Sequence, residues 1–169
     1  KCKHTTHPYI VKAPTPSSLM NHSLASPSSV ANVMYKKYVN GMPLYRQEKD
    51  LEQLGISLTR STMANWIIRC SEDYLKPIVK YLHKRLLERD ILHCDETPVQ
   101  VLKEEGKAPQ AKSYMWLYKT GNDGKPSITI YDYQPSRNGD HAVKFLKDFR
   151  GYVHCDGYSG YNKLSDITR

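Results

Sequence analysis

Two aspartates stand in matched settings. "ILHCDETPVQVL" runs from Ile91 to Leu102, and 61 positions after Asp95 the chain reaches Asp156 in "YVHCDGYSGYN". The trio His-Cys-Asp thus closes two separate apolar stretches. A carboxylate at the edge of a buried strand is costly unless something binds it. Two carboxylates side by side repel unless a cation lies between them. Oxygen-only ligands favour a hard ion, Mg²⁺ or Mn²⁺. A pair of such ions roughly 4 Å apart can activate an attacking oxygen and steady a leaving oxygen on phosphorus. Taken singly, Asp95 or Asp156 reads as a turn cap; the repeated context is what favours a shared site.

The neighbours sort by strand alternation. Cys94 and Cys155 point to the face opposite the carboxylates and read as small core residues. His93 and His154 share the carboxylates' faces, where they either pack on the sheet or contact phosphate. Glu96 should face away from Asp95, and Pro98 should bend the strand just past the site.

For the two aspartates to meet, the elements around them must return the chain to one sheet edge. "ILHCDETPVQVL", "SYMWLYKT" and "SITIYDYQ" read as strands, with hairpin chemistry in "GNDGKP". "GDHAVKFLKDF" switches to helical spacing through Ala142, Val143, Leu146 and Phe149, Gly151 ends that helix, and "YVHC" begins a fourth strand. The order is β-β-β-α-β. A crossover of this kind returns the fourth strand parallel to an earlier one. Pairing it with the first places Asp95 and Asp156 together at the carboxyl edge, where ligands of such sheets collect.

Residues 26–90 read as helical. Ser26-Pro27 starts a helix carrying Val30, Val33 and Met34, which Gly41 can end. A second runs from about Pro43 to Leu54, with Leu44, Leu51 and Leu54 inward. Gly55 breaks it, and Ser57 or Thr59 can cap a third helix carrying Met63, Trp66, Ile67 and Cys70. A fourth follows Pro77, with Ile78, Val79, Leu82 and Leu86. "YRQEKDLEQLGISLTRSTMANWIIR" has a helix-turn-helix layout whose second helix opens on Arg60, Ser61 and Thr62. Small polar and basic residues there suit DNA phosphate or base contact; a Gly turn between helices also serves any bundle.

Residues 1–25 read as an extended linker rich in Pro, Ser, Thr and His. Cys2, His4 and His7 are metal-capable but fall short of a four-ligand zinc set. The 169 residues expect one or two small domains. A net charge of +8 favours a polyanionic partner, nucleic acid first, over a merely soluble basic surface. No stretch approaches the roughly 20 apolar residues of a membrane span. Four widely spaced cysteines argue against a disulfide framework and fit a reducing cytoplasm. The fold class expected is α+β, close to α/β in its second part: a helical, DNA-binding region at 26–90 and a sheet domain at 91–169.

"HCDETPVQVL", "SYMWLY", "YDYQPSRNGDHAVKFLKDFRGYVHCDGYSGYN" and "YRQEKDLEQLGISLTRSTMANWI" together resemble the transposases of the insertion sequence 66 family, over nearly the whole span from Ser26 to Leu164. The resemblance implies a partial ribonuclease H-like core in 91–169. It also implies metal-dependent cutting and joining of DNA at transposon ends by Asp, Asp and Glu ligands. "HCDET" matches the first-Asp motif at Asp95 and "CDGYSGYN" the second at Asp156. The family's Glu lies on a helix well downstream of the second Asp, and this chain stops at Arg169 before such a helix. The chain is therefore expected to be a catalytically incomplete fragment, a truncated element or half of a split gene. A bacterial, nucleoid-associated protein, and a homo-oligomer in a transposition complex, are also implied. Arg137 lies in the matching Pro-Ser-Arg run and is expected either to contact DNA backbone or to cap a carbonyl or pair with Asp140. Family members carry a cysteine-rich zinc stretch before the helices. Here Thr5 takes the place of the expected partner of Cys2, so no zinc is carried over. Two further readings stand beside strand transfer: a binding module without chemistry, and a nuclease recruiting Asp132 as an additional ligand.

Overall fold

The computed structural model describes residues 12–14, 17–164 and 167–168. Cys2, His4, Thr5 and His7 lie outside the described residues. The chain divides after Leu75 into two compact units.

Among the described residues, the first unit holds three α-helices. α1 (Pro27–Tyr38) starts where Ser26 Oγ accepts the Ser29 N–H at 3.1 Å and Pro27 needs no donor. Val30 and Val33 are buried, and Gly41, at φ +65°, follows the helix. In α2 (Leu44–Gln53) the buried residue is polar: Gln47 donates to the carbonyls of Val33 (3.3 Å) and Met42 (3.1 Å). Leu44 and Leu51 are half-buried, but Leu54, expected inward, is 74% exposed. It caps the helix just before Gly55 (φ +75°) and so falls off the apolar stripe. α3 (Arg60–Cys70) is capped by Thr59, whose Oγ1 accepts from the Thr62 N–H at 3.2 Å. Met63 and Cys70 are buried and Trp66 and Ile67 half-buried, and a π-helical turn, Ser71–Leu75, follows. Cys70, Val30, Met20 and Ala25 form this unit's small core.

The second unit packs α4 (Lys76–Leu87) and α5 (Asp140–Phe145) with a four-stranded sheet, so the described chain is α+β. The strands are β1 (Ile91–Gln100), β2 (Lys112–Thr120), β3 (Thr129–Gln134) and β4 (Tyr152–His154), in the order β3-β2-β1-β4. β1–β2 and β2–β3 are antiparallel; β4 lies parallel to β1, as the crossover argument expected. β1 continues to Gln100 past Pro98 because β4 pairs only with Ile91, Leu92 and His93. Among the described residues no strand pairs with that edge of β1 beyond His93, so the missing N–H of Pro98 breaks no bond on that side.

One sheet face carries the core. Leu92, Cys94, Trp116, Tyr118, Ile130 and Val153 pack there with Leu86, Ala142, Leu146 and Phe149. Tyr118 stacks on Phe145 at 3.7 Å. Burial pushes the Cys94 thiol up to about 12, consistent with an inert core residue. Ile78 and Val79, expected inward, are exposed: α4 buries Leu86 and half-buries Leu82, His83 and Leu87, using only its last two turns. α5 is shorter than its periodicity suggests. It ends at Phe145, and Asp148 turns at φ +70°. Leu146 and Phe149 are still buried, whereas Val143 is 40% exposed.

Gly139 opens α5 directly against the 3₁₀ turn Ser159–Lys163. A Cβ at Gly139 would stand 2.2 Å from the Gly160 carbonyl oxygen and 2.8 Å from its Cα. That neighbour is backbone and cannot swing aside. Gly139→Ala is expected to cost about 2–3 kcal/mol, measured by urea unfolding of the whole chain. A change below about 0.5 kcal/mol, within the range of neutral surface substitutions, would mean that the two segments separate freely.

Candidate functional site

Alternation along β1 turns Leu92, Cys94 and Glu96 inward and leaves Ile91, His93 and Asp95 exposed. The parallel ladder pairs His93 with His154. Two residues further on each chain stand Asp95 and Asp156, past the last ladder pair and both exposed. One oxygen of each carboxylate is fixed locally. Asp95 Oδ1 accepts from the Glu96 N–H at 2.8 Å, and Asp156 Oδ1 from the Tyr158 N–H at 3.0 Å. A cleft of about 520 Å³ opens beside His154, Asp156, Tyr158 and Asn162.

Beneath this edge lies a buried polar network. Glu96 faces away from Asp95, as alternation requires, and its side chain is fully buried. Arg137 donates to Glu96 Oε1 from Nε (2.8 Å) and Nη2 (2.6 Å), and the Tyr161 hydroxyl donates to Oε2 at 2.7 Å. The pairing with Glu96 holds the guanidinium's pKa above its ordinary value. Burial, then the bond to Glu96, pushes the Tyr161 phenol up, so it remains a donor. Arg137 lies over the Tyr158 ring at 4.1 Å, and its carbonyl accepts from the Tyr158 hydroxyl. Its Nη2 is 4.0 Å from Asp156 Oδ2. Arg137 therefore ties the core side of β1 to the loop that carries Asp156.

The second unit carries Asp95, Asp156 and Arg137, and of these the structure brings Arg137 within 4.0 Å of Asp156. Arg137 does not pair with Asp140, which instead takes Lys163 at 2.8 Å and Asn138 at 3.0 Å. Lys163 holds the Asp140 carboxyl below its usual range. Arg60, Ser61 and Thr62 belong to the first unit, in the opening turn of α3. The Arg60 N–H donates to Glu48 Oε1 at 2.9 Å, and its guanidinium is 5.6 Å from the Tyr45 ring centre. Arg60 and Ser61 are exposed; Thr62 is half-buried against Thr59.

Asp132 cannot join Asp95. It pairs across the ladder with Trp116, which pairs with Glu96, so all three share the inner face. Asp132 Oδ2 accepts from Gln134 there, at 2.8 Å. The nuclease reading that needed it loses its extra ligand. Alternation set Glu96 facing away from Asp95, as found, but gave no sign of its partners. The available signal was that a carboxylate alternating with Leu92 and Cys94 needs buried donors.

Among the described residues no group of three or more His, Cys, Asp or Glu side chains is gathered to hold a metal. Asp95 and Asp156 supply oxygen donors of the kind a hard divalent ion takes, on one exposed edge. The donor chemistry fits such an ion, with two ligands of the set it would need.

The model of the Transposase IS66 family matches residues 22–169. Three curated proteins of Sinorhizobium fredii, all described as uncharacterized, align over 160 residues, 92% of this chain. Protein y4qI is 29% identical, y4jD 26% and y4hP 22%. The chain spans 29%, 31% and 28% of their respective lengths. No solved structure matches. Among the described residues no helix is long and apolar enough to cross a membrane.

Proposed function

The chain belongs to the IS66 transposase family, and from that premise we propose that it supplies two acidic ligands, Asp95 and Asp156, of a metal-dependent centre that cuts and joins DNA. The observation that carries the reading is the parallel β1–β4 ladder, whose His93–His154 pair lies two residues before each aspartate. The ion, Mg²⁺ or Mn²⁺, would activate the attacking oxygen and steady the leaving oxygen on phosphorus when bound. The chain's own part is to hold the carboxylates. Local backbone N–H groups orient one oxygen of each, and Arg137 anchors the Asp156 loop through Glu96 and Tyr158.

A third carboxylate has no residue in this proposal. Glu96 is turned into the core and engaged by Arg137 and Tyr161. Asp132 lies on the other sheet face. The family resemblance implies such a ligand on a helix downstream of the second aspartate. The test is strand transfer by a full-length protein carrying this region with Asp95 replaced by asparagine. Activity that persists at the original level overturns the assignment.

In the first unit we assign the exposed opening of α3, with Arg60, Ser61 and Thr62, to DNA contact. An excess of 25 Lys+Arg over 17 Asp+Glu supports it. As a second reading, the basic excess also suits a chain that holds transposon ends without chemistry. Both readings require phosphate contacts, so DNA affinity should fall steeply with salt. Arg60→Ala should reduce the slope of log affinity against log salt by about 1. A full chain whose DNA affinity ignores salt would defeat DNA holding, and an unchanged slope in Arg60→Ala would remove Arg60 from the contact.

A further inference from the structure

The two histidines that precede the aspartates have a geometry of their own. His93 and His154 are direct partners on neighbouring parallel strands, and both are exposed. Their Nδ1 atoms face each other at 3.0 Å, with the rings edge to face, 5.1 Å between centroids and 89° between planes. A metal-bound imidazole nitrogen sits about 2.0–2.1 Å from the ion, so two nitrogens on adjacent positions of one ion stand about 3.0–3.4 Å apart. The ladder sets the two residues side by side, and their nitrogens stand at that spacing.

We infer that His93 and His154 form a two-histidine site for a borderline divalent transition ion of the Zn²⁺, Ni²⁺ and Cu²⁺ class. Imidazole suits these ions, whereas the carboxylates of Asp95 and Asp156 suit Mg²⁺ and Mn²⁺. The same sheet edge would then sort two kinds of cation by ligand type. Without an ion, a single N–H between the nitrogens satisfies the pair; with one, both Nδ1 lone pairs bind it and the Nε2 protons face away. Two histidines leave the remaining positions to water, which sets a moderate affinity. The site would also cross-link β4, a strand of three residues, to β1. The inference is independent of the strand-transfer reading, because it needs no chemistry on DNA.

The full chain is titrated with Zn²⁺ by calorimetry, and with Cu²⁺ under electron paramagnetic resonance. His93→Ala and His154→Ala are measured beside it. Both retain Cys2, His4 and His7, so any metal bound by the chain's start is common to all three. Each single variant is expected to weaken the site's Zn²⁺ affinity by at least about tenfold. Each should also lose the coupling of Cu²⁺ to a pair of nitrogens and the rise in Tm that Zn²⁺ gives the parent. Should an alanine variant fail to fold, the asparagine variant replaces it. Metal binding that matches the parent in either variant overturns the site. So does a parent that binds no more Zn²⁺ than the variant lacking both histidines.

Discussion

Asparagine at position 95 or at position 156 is expected to lower strand transfer by a full-length protein on the order of a thousandfold, with the fold left intact. Both side chains are exposed, and the Asp156 side chain retains 55% of its accessible surface. Each accepts one backbone N–H, which an asparagine carbonyl oxygen can still do, and Asp156 adds only a 4.0 Å contact with the half-exposed Arg137 guanidinium. What the substitution removes is the charge that, on the proposed function, holds a divalent ion. Such an ion stabilises the transition state by several kcal/mol. A loss of about 4 kcal/mol corresponds to about a thousandfold in rate. If both aspartates serve one centre, as proposed, the double variant should be scarcely slower than either single one. Thermal melting should place all three within a few degrees of the parent. Full strand transfer in either single variant would remove that aspartate from the chemistry. Multiplying effects in the double variant would mean two separate sites.

How much of this was readable beforehand depends on how local the physics is. The α1 start was legible because Ser26 and Pro27 act on their own turn. The facing of Cys94 and Glu96 was legible because side chains alternate along any strand. The His-Cys-Asp repeat announced the β1–β4 pairing because parallel neighbours finish at one end of a sheet. The misses share a cause. Leu54 reads as a core leucine until Gly55 ends the helix beneath it, and Ile78 and Val79 continue a stripe that the core does not reach. Asp132 looked available because which face of β3 is buried depends on register with β2, which no single strand encodes. The partners of Glu96 were hidden for the same reason. Arg137 and Tyr161 stand 41 and 65 positions away, and nothing in their spacing signals a meeting.

That hidden network is where a single substitution should most damage the sheet unit. Glu96→Ala is expected to destabilise it by about 3 kcal/mol. Breaking a buried ion pair by removing one partner costs about 3–5 kcal/mol, because the other charge is stranded. Arg137 retains 43% of its side-chain exposure, so water screens part of that loss, which argues for the low end. Tyr161 has no such relief: it is 1% exposed and would be left with a buried hydroxyl and no acceptor. An unsatisfied buried donor costs about 1–3 kcal/mol. Against a usual domain stability of about 5–15 kcal/mol, the loss should show as a clear fall in the urea midpoint. Glu96→Gln separates the contributions, since an amide oxygen can still accept from Tyr161 or Arg137 while the charge is gone; its cost should fall between the parent and Glu96→Ala. In a cycle with Tyr161→Phe, the second substitution should cost almost nothing once Glu96 is alanine, because the hydroxyl has already lost its acceptor. Additive losses would mean that the Tyr161 hydroxyl stabilises the fold by a route other than the Glu96 carboxylate. The network's reach to the site follows from the same geometry. Arg137 held by Glu96 lies over Tyr158 and within 4.0 Å of Asp156, so Glu96→Ala should slow strand transfer even at temperatures where the variant is fully folded. A folded Glu96→Ala variant with undiminished strand transfer would confine the network to stability.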